Sequence, residues 1–181
     1  MAQTNPSSAG VLRVVLLVSL MGAAALPLAG KAQTAPAAGP QIGKPDAQGF
    51  VRVSPEDVTF GTGSAMESKV IAGDPGKPGI YVIRNRFPPG VMSRPHFHNQ
   101  DRFVTVIKGT WWTASGPDAD VFNPDKTVPL KAGGFMLHPA GGHHYDGAKT
   151  EEVIVQIVGM GPVTTTNIAP SLSWADGLRP R

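Results

Sequence analysis

Glycine and proline interrupt this chain of 181 residues so often that long helices are disfavoured. The sequence contains 22 glycines and 18 prolines, which are poorly tolerated inside helices and central strands. Between them lie short runs of β-branched and aromatic residues, such as GIYVIRNRF at 79–87 and RFVTVIKG at 102–109. We therefore predict eight to ten short strands and an all-β fold, a sandwich or a closed barrel. With 41% hydrophobic residues the chain can bury one core, so a single domain is expected.

The N-terminus has the pattern of a cleaved signal peptide. Arg13 precedes the apolar run VVLLVSLMGAAALPLAG, and small residues follow at the two positions that a signal peptidase reads. The run is interrupted by Pro27 and is shorter than the roughly 20 residues of a membrane-spanning helix. No cysteine follows it, so a lipid anchor on cysteine is excluded. We predict that residues 1–32 are removed and that the mature protein is periplasmic or secreted, without a stable membrane anchor.

The rest of the chain divides into an arm, a barrel and a tail. Residues 33–49 are rich in proline, alanine and glycine without periodicity, which predicts a flexible arm. The folded domain is expected at 50–168, with 169–181 as a C-terminal tail. Its first predicted strand is FVRVS at 50–54, followed by one helical turn with Pro55 at its first position.

Charge and cysteine content exclude several functions. Removing residues 1–32 takes away two of the 16 basic residues and none of the 13 acidic ones, which leaves 14 basic against 13 acidic side chains. Without a basic cluster, nucleic-acid binding is not expected. The chain contains no cysteine, so disulfides, thiolate nucleophiles and cysteine metal ligands are excluded.

All five histidines fall in two short stretches, RPHFHNQDRF at 94–103 and HPAGGHHYDG at 138–147. Side chains two residues apart on a strand face the same way, with Cα atoms about 6.5 Å apart. His96 and His98 can therefore converge on one metal ion at about 2.1 Å per bond. The alternative is a pair of histidines hydrogen-bonded on a half-buried strand. The second group of histidines favours the metal site.

These two stretches carry a resemblance to a known family. Residues 90–109, GVMSRPHFHNQDRFVTVIKG, resemble the first cupin motif, G-x5-H-x-H-x3,4-E-x6-G. Residues 133–148, GGFMLHPAGGHHYDGA, resemble the second, G-x5-P-x-G-x2-H-x3-N. The motifs and the strands around them cover roughly residues 50–165, so the resemblance extends over nearly all of the mature chain.

The resemblance implies a cupin-type jelly-roll β-barrel, open at one end and often dimeric. It also implies a divalent metal ion held by His96, His98 and His144; Fe, Mn, Ni and Zn suit such a site. Phe103 and Ile107 would face outwards, to be covered by an N-terminal strand or by a second subunit. We expect a homodimer.

Two positions depart from the motifs. Ala148 replaces the asparagine, which is usually not a ligand, whereas Arg102 replaces the glutamate that is one. A guanidinium cannot bind a metal ion and repels a dication. Three arrangements are open: a three-histidine metal site in which Arg102 binds an anionic substrate; a bulge that turns Asp101 inwards as the ligand; or a metal-free cationic pocket for an anion or a sugar.

Aromatic residues next to the motifs are candidates for the pocket wall. Trp111 and Trp112 are adjacent on a predicted strand, so one should face into the barrel and the other outwards. We assign Trp112 to the substrate pocket, together with Tyr145 and Arg102.

Three polar residues of the second motif lie beside the predicted metal ligands. His138 is also assigned to the pocket, where a position at the polar rim is favoured over a fourth metal ligand or a proton shuttle. Asp146 lies two residues after His144 and would orient that histidine if it shares its face. His143 is expected to face outwards.

Two classes of function remain open. One is an enzyme in which the metal activates a small molecule, with anions among the candidates, by oxygenase-type or related chemistry. The other is a non-catalytic, metal-free protein that binds a small anion or sugar. A cupin barrel does not decide between them, because one fold serves many functions.

Overall fold

The computed structural model describes residues 42–168, which belong to one compact unit. The predicted signal peptide at 1–32, most of the predicted arm and the predicted tail at 169–181 lie outside the described residues. The described part contains ten strands, within the predicted eight to ten. They are β1 Glu67–Ala72, β2 Gly79–Phe87, β3 His96–His98, β4 Arg102–Lys108, β5 Thr110–Ser115, β6 Val128–Lys131, β7 Phe135–His138, β8 His144–Gly147, β9 Val153–Gly161 and β10 Thr165–Asn167.

The strands form two five-stranded antiparallel sheets. The first has the order β1-β2-β9-β4-β7, and the second has the order β10-β3-β8-β5-β6. The chain changes sheet after β2, β3, β4, β6, β7, β8 and β9, so most consecutive strands lie in opposite sheets. This is the topology of a jelly-roll barrel, and the prediction of an all-β, single-domain jelly roll is confirmed for the described residues.

The core lies between the sheets because each strand buries one face. On β4, Val104 and Val106 are buried, whereas Phe103 and Ile107 are 47% and 45% exposed. Trp111 reaches the same core from β5 in the opposite sheet. Each buried aliphatic side chain of this kind stabilises the fold by about 1.5–3 kcal/mol. The buried members of the core are Tyr81, Ile83, Phe87, Val104, Val106, Trp111, Ala148, Val153, Val155 and Ile157.

The connection between β5 and β6 covers the outer face of the second sheet. It contains two 3₁₀ turns, Gly116–Ala119 and Pro124–Lys126. Tyr145 packs beneath it, donating a hydrogen bond of 2.6 Å to the carbonyl of Asn123 and accepting one of 3.1 Å from its N–H. A second, smaller apolar cluster forms there, outside the barrel.

The predicted strand at 50–54 is not formed. Val51 makes only an isolated bridge to Pro45. The carboxylate of Asp46 accepts hydrogen bonds from the N–H groups of Gln48 and Phe50, which folds this segment into a turn instead.

The helical turn predicted at Pro55 is confirmed as the 3₁₀ turn Pro55–Asp57. The N–H of Ser54 donates to the Asp57 carboxylate at 2.7 Å and closes the turn. Within residues 42–168, no helix has the length and apolar character needed to cross a membrane.

Glycines of the two motifs are required by the backbone. Gly109 turns the chain from β4 to β5 with φ +76°, and a Cβ there would lie 2.4 Å from the carbonyl oxygen of Glu152. Gly133 has φ +85° in the turn between β6 and β7. Both positions lie in the left-handed region that glycine adopts without strain, so this part of the motif pattern concerns the fold.

Candidate metal and anion site

Three motif histidines meet inside the barrel. His96 and His98 alternate with Phe97 on β3, and His96 is paired with His144 on β8. The ring centroids are 4.3 Å apart for His96 and His144, 4.8 Å for His96 and His98, and 5.2 Å for His98 and His144. All three are buried, and their ligand nitrogens lie within 4.8 Å of one another, so the group could hold a metal ion.

Main-chain carbonyls set the tautomer of each of these imidazoles. A carbonyl oxygen only accepts hydrogen bonds, so the Nδ1 atom that contacts it must carry the proton. Each Nε2 then keeps its lone pair, which is the form that binds a metal ion. The contacts are His96 Nδ1 to Arg94 O at 2.5 Å, His98 Nδ1 to Thr164 O at 3.1 Å and His144 Nδ1 to Gly142 O at 2.9 Å.

Arg102 shares this interior. It is 8% exposed on β4, where it is paired with His138 on β7 and Gly159 on β9. Its Nη1 is in hydrogen-bonding contact with Nε2 of His98. A guanidinium only donates, so His98 Nε2 must accept. The contact fits the tautomer set by Thr164 and uses the lone pair that a metal ion would need.

The predicted strand face of Arg102 is confirmed, because it lies on the buried side of β4 with Val104 and Val106. Asp101 lies on the exposed side, where its carboxylate accepts a hydrogen bond of 2.7 Å from the N–H of Ala140. The arrangement in which Asp101 turns inwards is therefore not observed. No bulge is present at this point of β4, so adjacent residues keep opposite faces.

His138 is not at the rim, contrary to the prediction. It is 3% exposed, and its ring lies between Trp111, at a centroid distance of 5.7 Å, and His144, at 3.8 Å. The reason is its pairing with Arg102, which puts both side chains on the inner face. Neither ring nitrogen has a hydrogen-bond partner among the described residues.

Asp146 shares the inner face of β8 with His144, which is the condition under which the sequence allowed it to orient that histidine. It is 5% exposed, and its Oδ1 accepts a hydrogen bond of 3.3 Å from the indole N–H of Trp111. The hydrogen bond that orients His144 goes instead to the carbonyl of Gly142. Ligand atoms of His138, His144 and Asp146 also lie within 4.8 Å of one another.

Trp112 and Tyr145 lie outside the barrel interior, contrary to their assignment to the pocket. Both belong to the cluster beneath the β5–β6 connection, and Lys149 Nζ lies 3.9 Å from the Trp112 ring centroid. The inward tryptophan is Trp111. The alternation of β5 and β8 explains both corrections, because residues next to Trp111 and His144 must face the other sheet surface. His143 faces outwards as predicted and contacts Asp120 at 2.6 Å.

Part of the cavity wall was not among the residues predicted from the sequence. Asn85 lines the cavity from β2, and its Oδ1 is buried without a partner among the described residues. The sequence did contain a signal for this residue. The inward face of β2 consists of alternating residues, and one of them, Asn85, is an amide, whereas the others are aromatic or aliphatic: Tyr81, Ile83 and Phe87. Further polar lining comes from Ser68, Ser93 and Thr165.

Burial keeps the interior histidines neutral. It is the largest cause lowering the pKa to about 4 for His96, about 2 for His98 and about 3 for His144. It also lowers the pKa of His138. The positive charge of Arg102 lowers all four pKa values further. Imidazoles in this state are available as ligands at neutral pH.

Burial acts on the two other charged groups of the cavity as well. It lowers the pKa of Arg102, an effect that Tyr81 and Asp146 oppose. It raises the pKa of Asp146 to about 6, against the lowering effects of Arg102 and the Trp111 hydrogen bond. One permanent cation and one carboxyl group therefore share the space between the sheets.

Comparison with known proteins adds the class of fold. No family model and no curated protein sequence matches the chain. Among solved structures, it is similar to the polyketide cyclase RemF from Streptomyces resistomycificus, with 15% identity over 71% of this chain and 98% of that chain and a TM-score of 0.52. It is also similar to a cupin 2 conserved barrel domain protein from Leptotrichia buccalis, with 24% identity over 59% of this chain and a TM-score of 0.47.

The chain spans less than half of some of the proteins that it resembles. It covers 45% of the Leptotrichia buccalis protein and 43% of a DMSP lyase chain, to which it is 16% identical over 49% of its own length with a TM-score of 0.41. Likeness at these identities concerns the fold and not the reaction. The likeness to RemF, taken with the two antiparallel sheets, shows that this chain has a jelly-roll fold of the same kind.

The buried histidines predict a loss of stability in acid. Below pH 6.5 the unfolded chain takes up protons at His96, His98, His138 and His144, whereas the folded interior resists protonation. Because the unfolded state then binds more protons, the free energy of unfolding falls as the pH falls, by about 2 kcal/mol per histidine between pH 7 and pH 5. Asp146 opposes this, since its raised pKa lets the folded state keep a proton that the unfolded state releases between about pH 4 and pH 6. Because one carboxyl group opposes four histidines, the net change from pH 7 to pH 5 is a loss of stability.

Urea titrations at pH 7, 6 and 5 with a chelator present would measure this loss. His138→Phe keeps an aromatic ring beside Trp111 and removes one of the four groups, so it should reduce the loss by about 2 kcal/mol. Val121→Ala changes an exposed side chain without touching a titratable group and should behave as wild type. A stability that stays level or rises from pH 7 to pH 5 would contradict the account.

Proposed function

We propose that this protein binds a divalent metal ion through His96, His98 and His144 and takes a small anionic molecule into the barrel. The observation that carries the proposal is the common tautomer of the three imidazoles. Each Nδ1 donates to a main-chain carbonyl, so three Nε2 atoms that carry no proton converge in one buried space. Neutral imidazoles suit Fe, Mn, Ni or Zn, and a bound ion would supply Lewis-acid activation of a coordinated molecule.

Arg102 explains why the bound molecule should be anionic. An ion that engages all three histidines needs the lone pair of His98, which Arg102 uses in this structure. A carboxylate or similar anion offers the guanidinium a bidentate partner in exchange. Metal and anion would therefore assist each other, since the anion draws the competing cation away and offsets the charge of the ion. Oxygenase-type or related small-molecule chemistry is proposed for such a site.

A metal-free function is the second candidate. The contact between Arg102 and His98 favours it, because the guanidinium already satisfies one of the three imidazoles. The cavity would then bind an anion or a sugar through Arg102 and through the polar side chains of Asn85, Ser68 and Thr165, which line it. Such a protein would be a binding module without catalysis.

We also propose that the protein is exported. The support is the apolar run after Arg13 and the small residues that end it. Expressed in a bacterial host, the full chain should yield a periplasmic form whose N-terminal sequence begins at Gln33, while a variant without residues 1–32 should stay in the cytosol. Recovery of the full-length chain from the cytosol alone would contradict the proposal.

A homodimer is proposed on the outer face of the first sheet. Phe103 and Ile107 of β4 lie beside Phe135 and Leu137 of β7, and all four are more than two fifths exposed. Phe103 is paired with Leu137 and Thr105 with Phe135, which makes the apolar surface continuous. Light scattering should give twice the monomer mass for the wild type and the monomer mass for Phe103→Ser with Leu137→Ser. A monomeric wild type would count against the dimer.

Arg102→Glu provides the sharpest test of the metal site. The change removes the cation that competes for His98 and supplies the carboxylate of the motif, so Zn(II) affinity should rise at least tenfold. Adding His98→Ala to that variant should reverse the gain, because the ion then loses a ligand. Equilibrium dialysis of chelator-stripped protein at pH 7.5 would measure both.

His143→Ala is the matched control, since this histidine contacts Asp120 on the outside and should not affect affinity. An unchanged affinity in Arg102→Glu would mean that Arg102 does not compete with the ion. If neither the wild type nor Arg102→Glu binds Zn(II), Mn(II), Fe(II) or Ni(II), the metal proposal fails and the metal-free candidate takes its place.

A further inference from the structure

We propose that the barrel contains a second metal position, formed by His138, His144 and Asp146, which a divalent ion occupies while Arg102 is bonded to His98. The inference rests on the proposed metal-binding function, because His144 belongs to both positions. The three-histidine position would fill when Arg102 leaves His98.

The three side chains are brought together by two strands. His144 and Asp146 alternate on the inner face of β8, and His138 ends β7, with its ring centroid 3.8 Å from that of His144. Their ligand atoms lie within 4.8 Å of one another. Two atoms that each bond one ion at about 2.1 Å can be at most about 4.2 Å apart, so shifts below about 1 Å would close the site.

Hydrogen bonding favours this group over the three motif histidines. Both nitrogens of His138 and Nε2 of His144 are buried and have no hydrogen-bond partner among the described residues. Nε2 of His98, in contrast, already accepts from Arg102. Buried polar atoms without partners cost free energy, which a bound ion would recover. Because His144 belongs to both positions, the nitrogens without a partner that distinguish the second position are the two of His138.

Charge favours the same group. Asp146 is the one carboxylate among the described residues that line the cavity, and it offsets part of the charge of a dication. Its Oδ1 is held by the indole N–H of Trp111 at 3.3 Å, and a carboxylate has further lone pairs for an ion. The three-histidine position offers neutral ligands beside a guanidinium. Asp146 thus provides, from the second motif, the acidic ligand that Arg102 displaces from the first.

Only one ion can be held at a time. Nδ1 of His144 donates to the carbonyl of Gly142, which leaves Nε2 as its single ligand atom. Occupation of one position therefore empties the other, and the state of Arg102 decides between them.

The experiment compares Zn(II) affinities of chelator-stripped full-length protein in a buffer free of carboxylates. Asp146→Asn keeps the shape of the side chain and an acceptor for Trp111, and His138→Phe keeps a ring in the stack. Each should weaken Zn(II) binding at least tenfold, while His98→Ala should change it less than threefold. In the Arg102→Glu background the order should reverse, with His98→Ala costing at least tenfold and Asp146→Asn less than threefold. His143→Ala is the control in both backgrounds, and near-UV circular dichroism verifies the fold of each variant.

The outcomes separate this inference from the function on which it rests. If His98→Ala weakens binding tenfold in the wild-type background while Asp146→Asn and His138→Phe do not, the ion sits among the motif histidines; the second position is overturned and the proposed function stands. If all three weaken it equally, one larger site exists and the two-position inference is overturned. If neither the wild type nor Arg102→Glu binds Zn(II), both the inference and the metal function fall.

Discussion

The contact between Arg102 and His98 controls what the interior of this barrel can do. A permanent charge lies 8% exposed between two sheets whose other inward residues are mostly apolar. In such surroundings a cation interacts more strongly with its neighbours than it would in water. It forces His98 to accept a hydrogen bond, helps keep the other imidazoles neutral and lowers the pKa of Asp146 against the effect of burial. The site is therefore best understood as a balance of one cation, one carboxyl group and four imidazoles.

This balance distinguishes the chain from a simple metal cage. In a preformed metal site, every inward ligand would have its lone pair available to the ion, and the acidic ligand would come from the same motif as the first histidines. Here the arginine occupies that place, and the acidic side chain comes from β8, beside the tryptophan that orients it. If the site binds metal as proposed, a competing cation would make its occupation conditional on what else is bound. Two strands of the second sheet and two of the first supply the parts, so the balance depends on both sheets keeping their register.

The fold could be predicted from the sequence because the patterns that indicate strands repeat regularly along the chain. Turn residues and alternating runs define strands locally, and the two motifs predicted their arrangement. The inward face of Arg102 followed from alternation on the first half of β4, where the pairing is regular; the register shift of this strand comes later, between Val106 and Lys108. Trp112 and Tyr145 were misplaced because alternation shows that neighbours face apart without showing which of them faces inwards. His138 was placed at the rim because only the pairing of β7 with β4 reveals that it lies opposite Arg102. Such cross-strand pairing joins residues 36 positions apart, so the sequence next to either residue does not indicate it.

The last described strand, β10, limits when the cavity can be completed during synthesis of the chain. His98 is oriented by the carbonyl of Thr164 and lies within 3.1 Å of the hydroxyl of Thr165, both more than sixty residues further along the chain. Its ring cannot be set until β10 has reached β3. The cavity therefore remains incomplete on a growing polypeptide until residues 164–167 have been made and have paired with β3.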